Sequence, residues 1–293
     1  MEEKMKMNVL VTLDAGYLHP LTVMLRSLLD NHSCGYNGEE WEIDVYVMNS
    51  GLTSNHFEKV RRGVELYCGA KNANRMKLID VKVDRSMLKD APITDRYPQE
   101  MYYRIFAAKF LPDELDRVLY LDPDMVIINS LTGLYCMDLE DDWFAAASHV
   151  GPVLEKINEL RLQSEDPGPY INSGVMLMNL EKLRKHQDIQ QVFDYIERMK
   201  DALILPDQDV ISALYGGKIK EIDHYRYNMT ERILRVQQLP GVTGLQTLQG
   251  MEPVDIKWIC RNSCVIHYIG RNKPWKERYI GKLDFFYHWY NRI

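Results

Sequence analysis

Arg117-Val-Leu-Tyr-Leu-Asp-Pro-Asp-Met-Val-Ile-Ile128 sets two acids between two short apolar runs. Val118–Leu121 and Met125–Ile128 have strand composition, and Asp122-Pro123-Asp124 lies between them. Side chains two apart on an extended chain point the same way, so the two carboxylates share one side. Pro123 pushes Asp122 out of the helical region and cannot donate to a sheet ladder. The strand therefore ends there, and the acids project past its edge. Two adjacent carboxylates favour a cation between them, and a hard divalent ion shared with phosphate oxygens suits the pair. A polar turn joining two buried strands is the plainer alternative, and three residues alone do not separate the two.

Upstream, Asn8–Leu13 reads as a buried strand that ends in the turn Asp14-Ala-Gly-Tyr17. Leu21, Met24, Leu25, Leu28 and Leu29 fall at helical spacing, which predicts a helix from Pro20 to Asn31. Trp41–Met48 predicts a second strand, Ser54–Cys68 a second helix and Lys77–Val81 a third strand. Such alternation predicts an α/β fold with a central, mainly parallel mixed sheet flanked by helices on both faces. Ligands of such sheets collect beyond the carboxyl ends of the strands, where Asp14 and the Asp122/Asp124 pair both fall.

Downstream, Ser86–Gln99 is polar and proline-bearing and predicts a loop, and Met101–Phe110 predicts a helix carrying Tyr102, Tyr103 and Arg104. Trp143–Ala147 predicts a strand, Gln163–Pro169 a loop, and Tyr170–Asn179 an apolar strand that opens with polar Asn172 and with Gly174. Glu181–Lys200 predicts one long helix, Asp207–Tyr215 a shorter one, and Gln237–Met251 a flexible loop. His267 follows an apolar run as though closing another strand, and Gly270, Lys273 and Pro274-Trp275 come just after it. Gly270 permits a close backbone approach, and Lys273 carries a point charge suited to phosphate. No internal repeat or linker composition stands out, so residues 1–293 read as one domain.

Composition narrows the classes. The chain has 293 residues, 46% hydrophobic and 27% charged, as a soluble globular protein does. Its 36 basic and 42 acidic residues give −6, which argues against a nucleic-acid binder relying on a basic surface. The charged opening Met1-Glu-Glu-Lys-Met-Lys-Met7 predicts no secretory leader, and no apolar run reaches bilayer-spanning length. The five scattered cysteines (Cys34, Cys68, Cys136, Cys260 and Cys264) fit a reducing compartment. Cys260-x3-Cys264 lacks a second ligand pair and reads as packing. The sequons at Asn31 and Asn228 carry no weight without export, and the expected location is cytoplasmic.

In combination, Leu119-Tyr-Leu-Asp-Pro-Asp124, Asn172-Ser-Gly-Val175, Asp207-Gln-Asp209 and His267-Tyr-Ile-Gly-Arg-Asn-Lys-Pro-Trp275 resemble one family. It is the LgtC-like retaining glycosyltransferases, glycosyltransferase family 8, and the resemblance runs from Asn8 to about Trp275. It implies the GT-A fold of nucleotide-diphospho-sugar transferases. It also implies transfer of a hexose from a UDP-sugar with manganese (magnesium being the alternative) and with retention at the anomeric carbon. Matched by position, Asp122, Asp124 and His267 are the implied metal ligands, and Gly270 and Lys273 the implied diphosphate contacts. Asp14 and Tyr17 match the nucleotide end of the donor, while Arg104, Asn172, Asp207 and Gln208 line the donor hexose. Asp207 and Gln208 are the implied catalytic pair. Retention proceeds either through a covalent adduct on an Asp or by departure and attack on one face with Gln208 steadying the cationic sugar.

Plainer roles stand beside these: Asp14 as a turn residue, Arg104 as a solvated surface arginine, Asn172 as a strand cap and Asp207 as a helix N-cap. The chain departs from the family's usual Asp-Asp-Asn-Tyr at Asp14-Ala-Gly-Tyr17, and His149 stands where some relatives place an acid near the acceptor. A saccharide or glycolipid acceptor of the cell envelope is the expected partner. The tail 275–293 is aromatic and net basic; packing of its aromatic stripe onto the body is the favoured reading, and peripheral membrane contact the other. A nucleotidyltransferase, which would release pyrophosphate, and a non-catalytic nucleotide-sugar sensor are the rival functions.

Overall fold

The computed structural model describes residues 5–32, 41–88, 98–243, 249 and 252–292. The opening Met1–Lys4, Ser33, Cys34, most of the Ser86–Gln99 loop and part of the Gln237–Met251 loop lie outside the described residues. Strands β1 (Lys6–Thr12), β2 (Glu42–Asn49) and β3 (Met76–Lys82) run parallel, in register Met7↔Ile43 and Ile43↔Met76. Two helices, α1 (Leu18–Asn31) and α2 (Ser54–Ala73), connect them. α2 runs past the predicted Cys68, but Gly69 at φ +76° breaks its helical geometry just there.

Strand β4 (Arg117–Leu121) lies parallel to β1 on its other side, and β5 (Met125–Ile127) follows it. Next come β6 (Phe144–Ser148), β7 (Ile171–Asn179), β8 (Ile219–Glu221) and β9 (Val265–His267). The main sheet has the order β3-β2-β1-β4-β7-β6-β8, and only β7 runs antiparallel to both its neighbours. The expected mainly parallel mixed sheet is therefore observed. Alternate residues feed two buried layers. Met7, Val9, Val11, Leu119, Leu121, Val175 and Leu177 pack with Met24, Leu25 and Leu28 of α1. Leu10, Val118, Tyr120, Met176 and Met178 pack with Tyr103, Phe106, Tyr195 and Ile211 on the opposite side. Both faces are covered, which is why these strands read as nearly continuous apolar runs.

Several expectations are corrected. The single helix over Glu181–Lys200 is two, Leu180–His186 and Ile189–Met199; Gln187 is extended, and the Asp188 carboxylate caps the second by accepting from Gln190 and Gln191 N–H. Met101–Phe110 is mainly a 3-10 turn, Gln99–Phe106, with one α turn, Ala107–Phe110. The helices Pro152–Leu162, His224–Tyr227, Glu231–Gln237 and Ile256–Asn262 and the strand β8 had no clear period in the sequence. Cys264 is buried, as packing requires, but Cys260 is exposed. Among the described residues of the tail only Asp284–Tyr290 is helical, with Phe286, Tyr287 and Tyr290 packed inward and Phe285 and Trp289 exposed.

The small sheet β5–β9 places the site. Its antiparallel register pairs Met125 with His267, so the chain near residue 267 returns beside Asp124. Met125, Val126 and Ile127 are fully buried. At about 1.5–3 kcal/mol per side chain, that burial anchors a strand of only three residues. On the other flank Leu121 pairs with Val175, and Asp122 N–H donates to the Gly174 carbonyl at 2.8 Å. Three sequence-distant segments thus meet at the carboxyl end of β4.

Candidate active site

Asp122 and Asp124 sit just past β4, as the proline between them predicts. His267 Nε2 lies 3.2 Å from Asp124 Oδ1 and 3.6 Å from Asp122 Oδ2. One ligand atom from each of the three lies within 4.8 Å of the other two. The set is hard oxygen with one borderline nitrogen, which fits a divalent ion. The Lys273 ammonium already stands as a cation against Asp124 Oδ2 and also donates to the Tyr268 carbonyl at 2.7 Å. Burial opposes ionisation of Asp124, but Lys273 and His267 outweigh it and hold the carboxyl well below the usual carboxylate range. Lys273 is pushed up from the ordinary lysine value: burial works against its charge, and Asp124 and Tyr17 more than offset that. Gly270, at φ +73°, makes the left-handed turn between His267 and Lys273 that folds the lysine back onto the acid.

Gly174 makes the space. A Cβ there would run into His267 Cε1 and would stand 2.9 Å from Asp122 Oδ2. Only a glycine lets β7 pass this close to the acid and the imidazole.

Arg104 is buried rather than solvated. Its guanidinium lies 2.9 Å from Asp122 Oδ1, 3.1 Å from Asp207 Oδ2 and 3.2 Å from the Ser173 carbonyl. It also stacks over the Tyr120 ring at 4.2 Å, and the Tyr120 hydroxyl donates to Asp122 at 2.6 Å. Burial works against the guanidinium charge, but Asp122, Tyr120 and Asp207 around it push its pKa above the ordinary arginine value. Asp207 is buried and raised from its usual value by that burial, with Arg104 and the Ser173 hydroxyl pulling it back. It is not the N-cap of its helix, which is Leu205; Asp207 is the second residue of Pro206–Tyr215 and faces the arginine. Asp209, one turn-face away, belongs to the scaffold. It is fully buried and accepts from Arg161, from Tyr170 at 2.6 Å and from Ile204 N–H at 2.6 Å.

Asn172 Nδ2 reaches Gln208 Oε1 at 3.4 Å, so the two residues matched to the donor sugar face each other. Tyr17 lies edge-on to Trp275 at 6.3 Å and feels the charges of Lys273, Asp124 and Asp122. Asp14 is exposed at the end of β1, where its carboxylate accepts from Gly16 N–H at 2.7 Å. It thus does at least the turn-capping work named above. His149 lies on the same side, its Nε2 3.0 Å from the Asn228 carbonyl. Burial, then His267 and His224, lower its pKa to about 3.

Residues the motifs did not point to are Tyr120, Ser173 and Asn228. Tyr120 and Ser173 were inside quoted motifs, and Tyr120 could have been found from its place beside the acids. Asn228 had no signal beyond a sequon, yet it is fully buried and its Oδ1 is 2.9 Å from His267 Nδ1.

An open α/β sheet with acids at the carboxyl end of a central strand, closed over by a short β5–β9 ladder, defines the GT-A class of sugar-nucleotide transferases. The chain belongs to glycosyl transferase family 8, whose family model matches residues 8–278. It is 26% identical over 271 residues to a lipopolysaccharide 1,2-glucosyltransferase of Escherichia coli K12, covering 92% of this chain and 73% of that one. It is equally 26% identical, over 274 residues, to general stress protein A of Bacillus subtilis strain 168, covering 92% and 88%. The fold matches the crystal structure of the galactosyltransferase LgtC in complex with donor and acceptor sugar analogs, with TM-score 0.76 and 22% identity over 97% of this chain and 95% of that one. Among the described residues no helix is long and apolar enough to cross a membrane.

Proposed function

We propose that this glycosyltransferase is a divalent-metal-dependent, retaining hexosyltransferase. Its donor in this reading is UDP-glucose or UDP-galactose, and its acceptor a saccharide or glycolipid of the cell envelope. The observation that carries the proposal is the convergence of Asp122, Asp124 and His267 at one strand end, with Lys273 against Asp124. Asp122, Asp124 and His267 would hold the ion, which supplies Lewis-acid charge for a diphosphate leaving group. Lys273 adds a second positive charge there, positioned by the Gly270 turn. Asp14 and Tyr17 take the nucleotide end in this reading. Arg104 locks Asp122 to Asp207, so the phosphate and sugar halves of the site share one rigid bridge.

For the chemical step, the same-face route fits the geometry better than a covalent adduct. Asp207 Oδ2 is committed to Arg104 and Ser173, whereas Gln208 presents an amide beside Asn172. An oxygen held by two donors is a weak nucleophile, while a side-chain amide oxygen steadies positive charge without leaving its place.

The names of two relatives, a lipopolysaccharide 1,2-glucosyltransferase and a lipopolysaccharide 1,3-galactosyltransferase, support a hexose donor and an envelope acceptor. Residues 1–293 are proposed to act as one domain, because the helix Asp284–Tyr290 shares a core with β5 and β9. The free cysteines Cys68, Cys136, Cys260 and Cys264 suit a reducing, cytoplasmic setting. The exposed Ile280, Phe285 and Trp289 are the large apolar side chains of the tail left for contact with a membrane surface.

The test is product analysis. With manganese and either UDP-sugar the protein should release UDP, and chelation should stop it. Pyrophosphate release would point to a nucleotidyltransferase, and tight donor binding without turnover to a sensor. A thermal-shift screen of UDP-sugars with and without manganese gives the donor, since a ligand bound only by the folded state raises stability.

A further inference from the structure

The site contains a chain of hydrogen bonds whose direction is dictated from the backbone. Gly174 N–H points at an Asn172 side-chain atom 3.2 Å away. A backbone N–H only donates, so the Asn172 atom facing it is the carbonyl oxygen Oδ1. Asn228 reaches that same oxygen at 2.9 Å, and the atom it offers must therefore be its amide nitrogen. The other end of the Asn228 amide, its oxygen, is then the atom 2.9 Å from His267 Nδ1. An acceptor there requires a proton on Nδ1. Nε2, the nitrogen facing Asp124 and Asp122, donates to Asp124 Oδ1 at 3.2 Å when the ring is charged and carries the lone pair when the ring is neutral.

Asn228 is well placed to enforce this. It is fully buried, its N–H donates to the His224 carbonyl at 3.0 Å, and its own carbonyl receives His149 Nε2. The next residue, Met229, bridges directly to β9, its carbonyl accepting from His267 N–H at 2.7 Å. The amide, just past the helix His224–Tyr227, and the imidazole on β9 are thus held by directly bonded backbone.

We infer that Asn228 is a positioning residue that locks His267 in the Nδ1–H tautomer, with the polarity of the lock set by Gly174 N–H through Asn172. The inference deepens the metal reading above and rests on it for its purpose. The lock presents a ready lone pair to an incoming ion instead of an N–H that the ion would have to displace. The same amide joins the ion's imidazole to Asn172, and through it to Gln208, so one residue ties the metal side of the site to the sugar side.

The experiment uses the full chain and two variants. In metal-free protein with the ring neutral, nitrogen-15 NMR of labelled histidine, with His267 assigned by its absence in His267→Ala, should show Nδ1 protonated and Nε2 bare. Asn228→Leu should lose that preference and weaken manganese binding roughly 10- to 100-fold, read from free manganese by electron paramagnetic resonance. Asn228→Asp is nearly isosteric and keeps an acceptor at Nδ1–H but cannot donate to Asn172. It should keep the tautomer and stay within about threefold of wild-type manganese affinity while raising the donor KM. An Asn228→Leu protein with the wild-type tautomer and affinity would overturn the assignment, as would loss of the tautomer in Asn228→Asp. Should the wild-type chain bind no manganese at all, the metal reading fails alone. The metal-free spectra still decide whether Asn228 sets the ring.

Discussion

Gly174→Ala is the sharpest single perturbation of the site. The added methyl would point into the imidazole of His267, with Nδ1 at 3.0 Å and Cε1 far inside contact distance, and would crowd Asp122 Oδ2 at 2.9 Å. Ordinary carbon contacts are about 3.5–4 Å, so the ring must retreat by roughly an ångström or more. Metal ligands tolerate only about 0.2 Å of error, and a retreat of that size takes Nε2 out of the coordination shell. The backbone cannot absorb the strain instead, because Gly174 O accepts from Asp122 N–H and the neighbouring Val175 is paired with Leu121. Overpacking of this kind costs about 1–3 kcal/mol of stability, small enough to leave the protein folded. The expected outcome is a modest fall in urea midpoint and a loss of about 100-fold or more in manganese affinity, with turnover following. Urea unfolding measures the first quantity, manganese titration by calorimetry the second and UDP release the third. Gly51→Ala, where an added methyl meets nothing within 4 Å, is the matched control. Wild-type manganese affinity in Gly174→Ala would refute the claim that this glycine exists to admit the imidazole.

Asp209→Ala should cost about 3–5 kcal/mol in urea unfolding, because it strands Arg161, Tyr170 and two backbone N–H groups around a fully buried position. A loss below about 1 kcal/mol would remove Asp209 from the scaffold of the Asp207 helix. His149 stays neutral in the folded protein down to about pH 3, whereas an unfolded histidine titrates near 6.5. Its contribution is therefore complete above about pH 6.5 and shrinks as pH falls toward 3, by about 2 kcal/mol between pH 7 and pH 5. His149→Gln should show a correspondingly smaller stability difference between those two pH values, and an unchanged difference would count against the buried, neutral ring. Deleting residues 277–293 should lower the melting temperature sharply, since it removes Tyr287 and Tyr290, the latter bonded to Arg26 through its carbonyl and to Asn31 through its hydroxyl. A truncated protein that melts normally and only fails to bind liposomes would instead make the tail a membrane anchor.

Much of the architecture was legible because local chemistry and the fold agree. The apolar run Val118–Leu121 cut by Pro123 reads as a strand ending at the two acids, and β4 ends there. The first three strands and α1 follow from period alone, since each buries a long apolar stripe. The failures are local. Gln187-Asp188 breaks a helix through a side-chain cap that no hydrophobic period reveals, and Pro152–Leu162 exposes Val153, Ile157 and Leu160, so it presents no apolar face to the core. A solvated face was the plainer alternative for Arg104, and the packing of β7 and the Asp207 helix turned it inward.

The chain by itself determined which groups are available: two acids at a strand end, an imidazole after a short strand, a lysine beyond a glycine, and the family to which their order belongs. Tertiary structure decided their relations. The antiparallel register of β5 with β9 is set over more than a hundred residues of separation, and it alone puts His267 beside Asp124. The role of Asn228 lies wholly on that side of the line, because hydrogen-bond direction depends on which atoms meet, and spacing along a sequence carries no record of that.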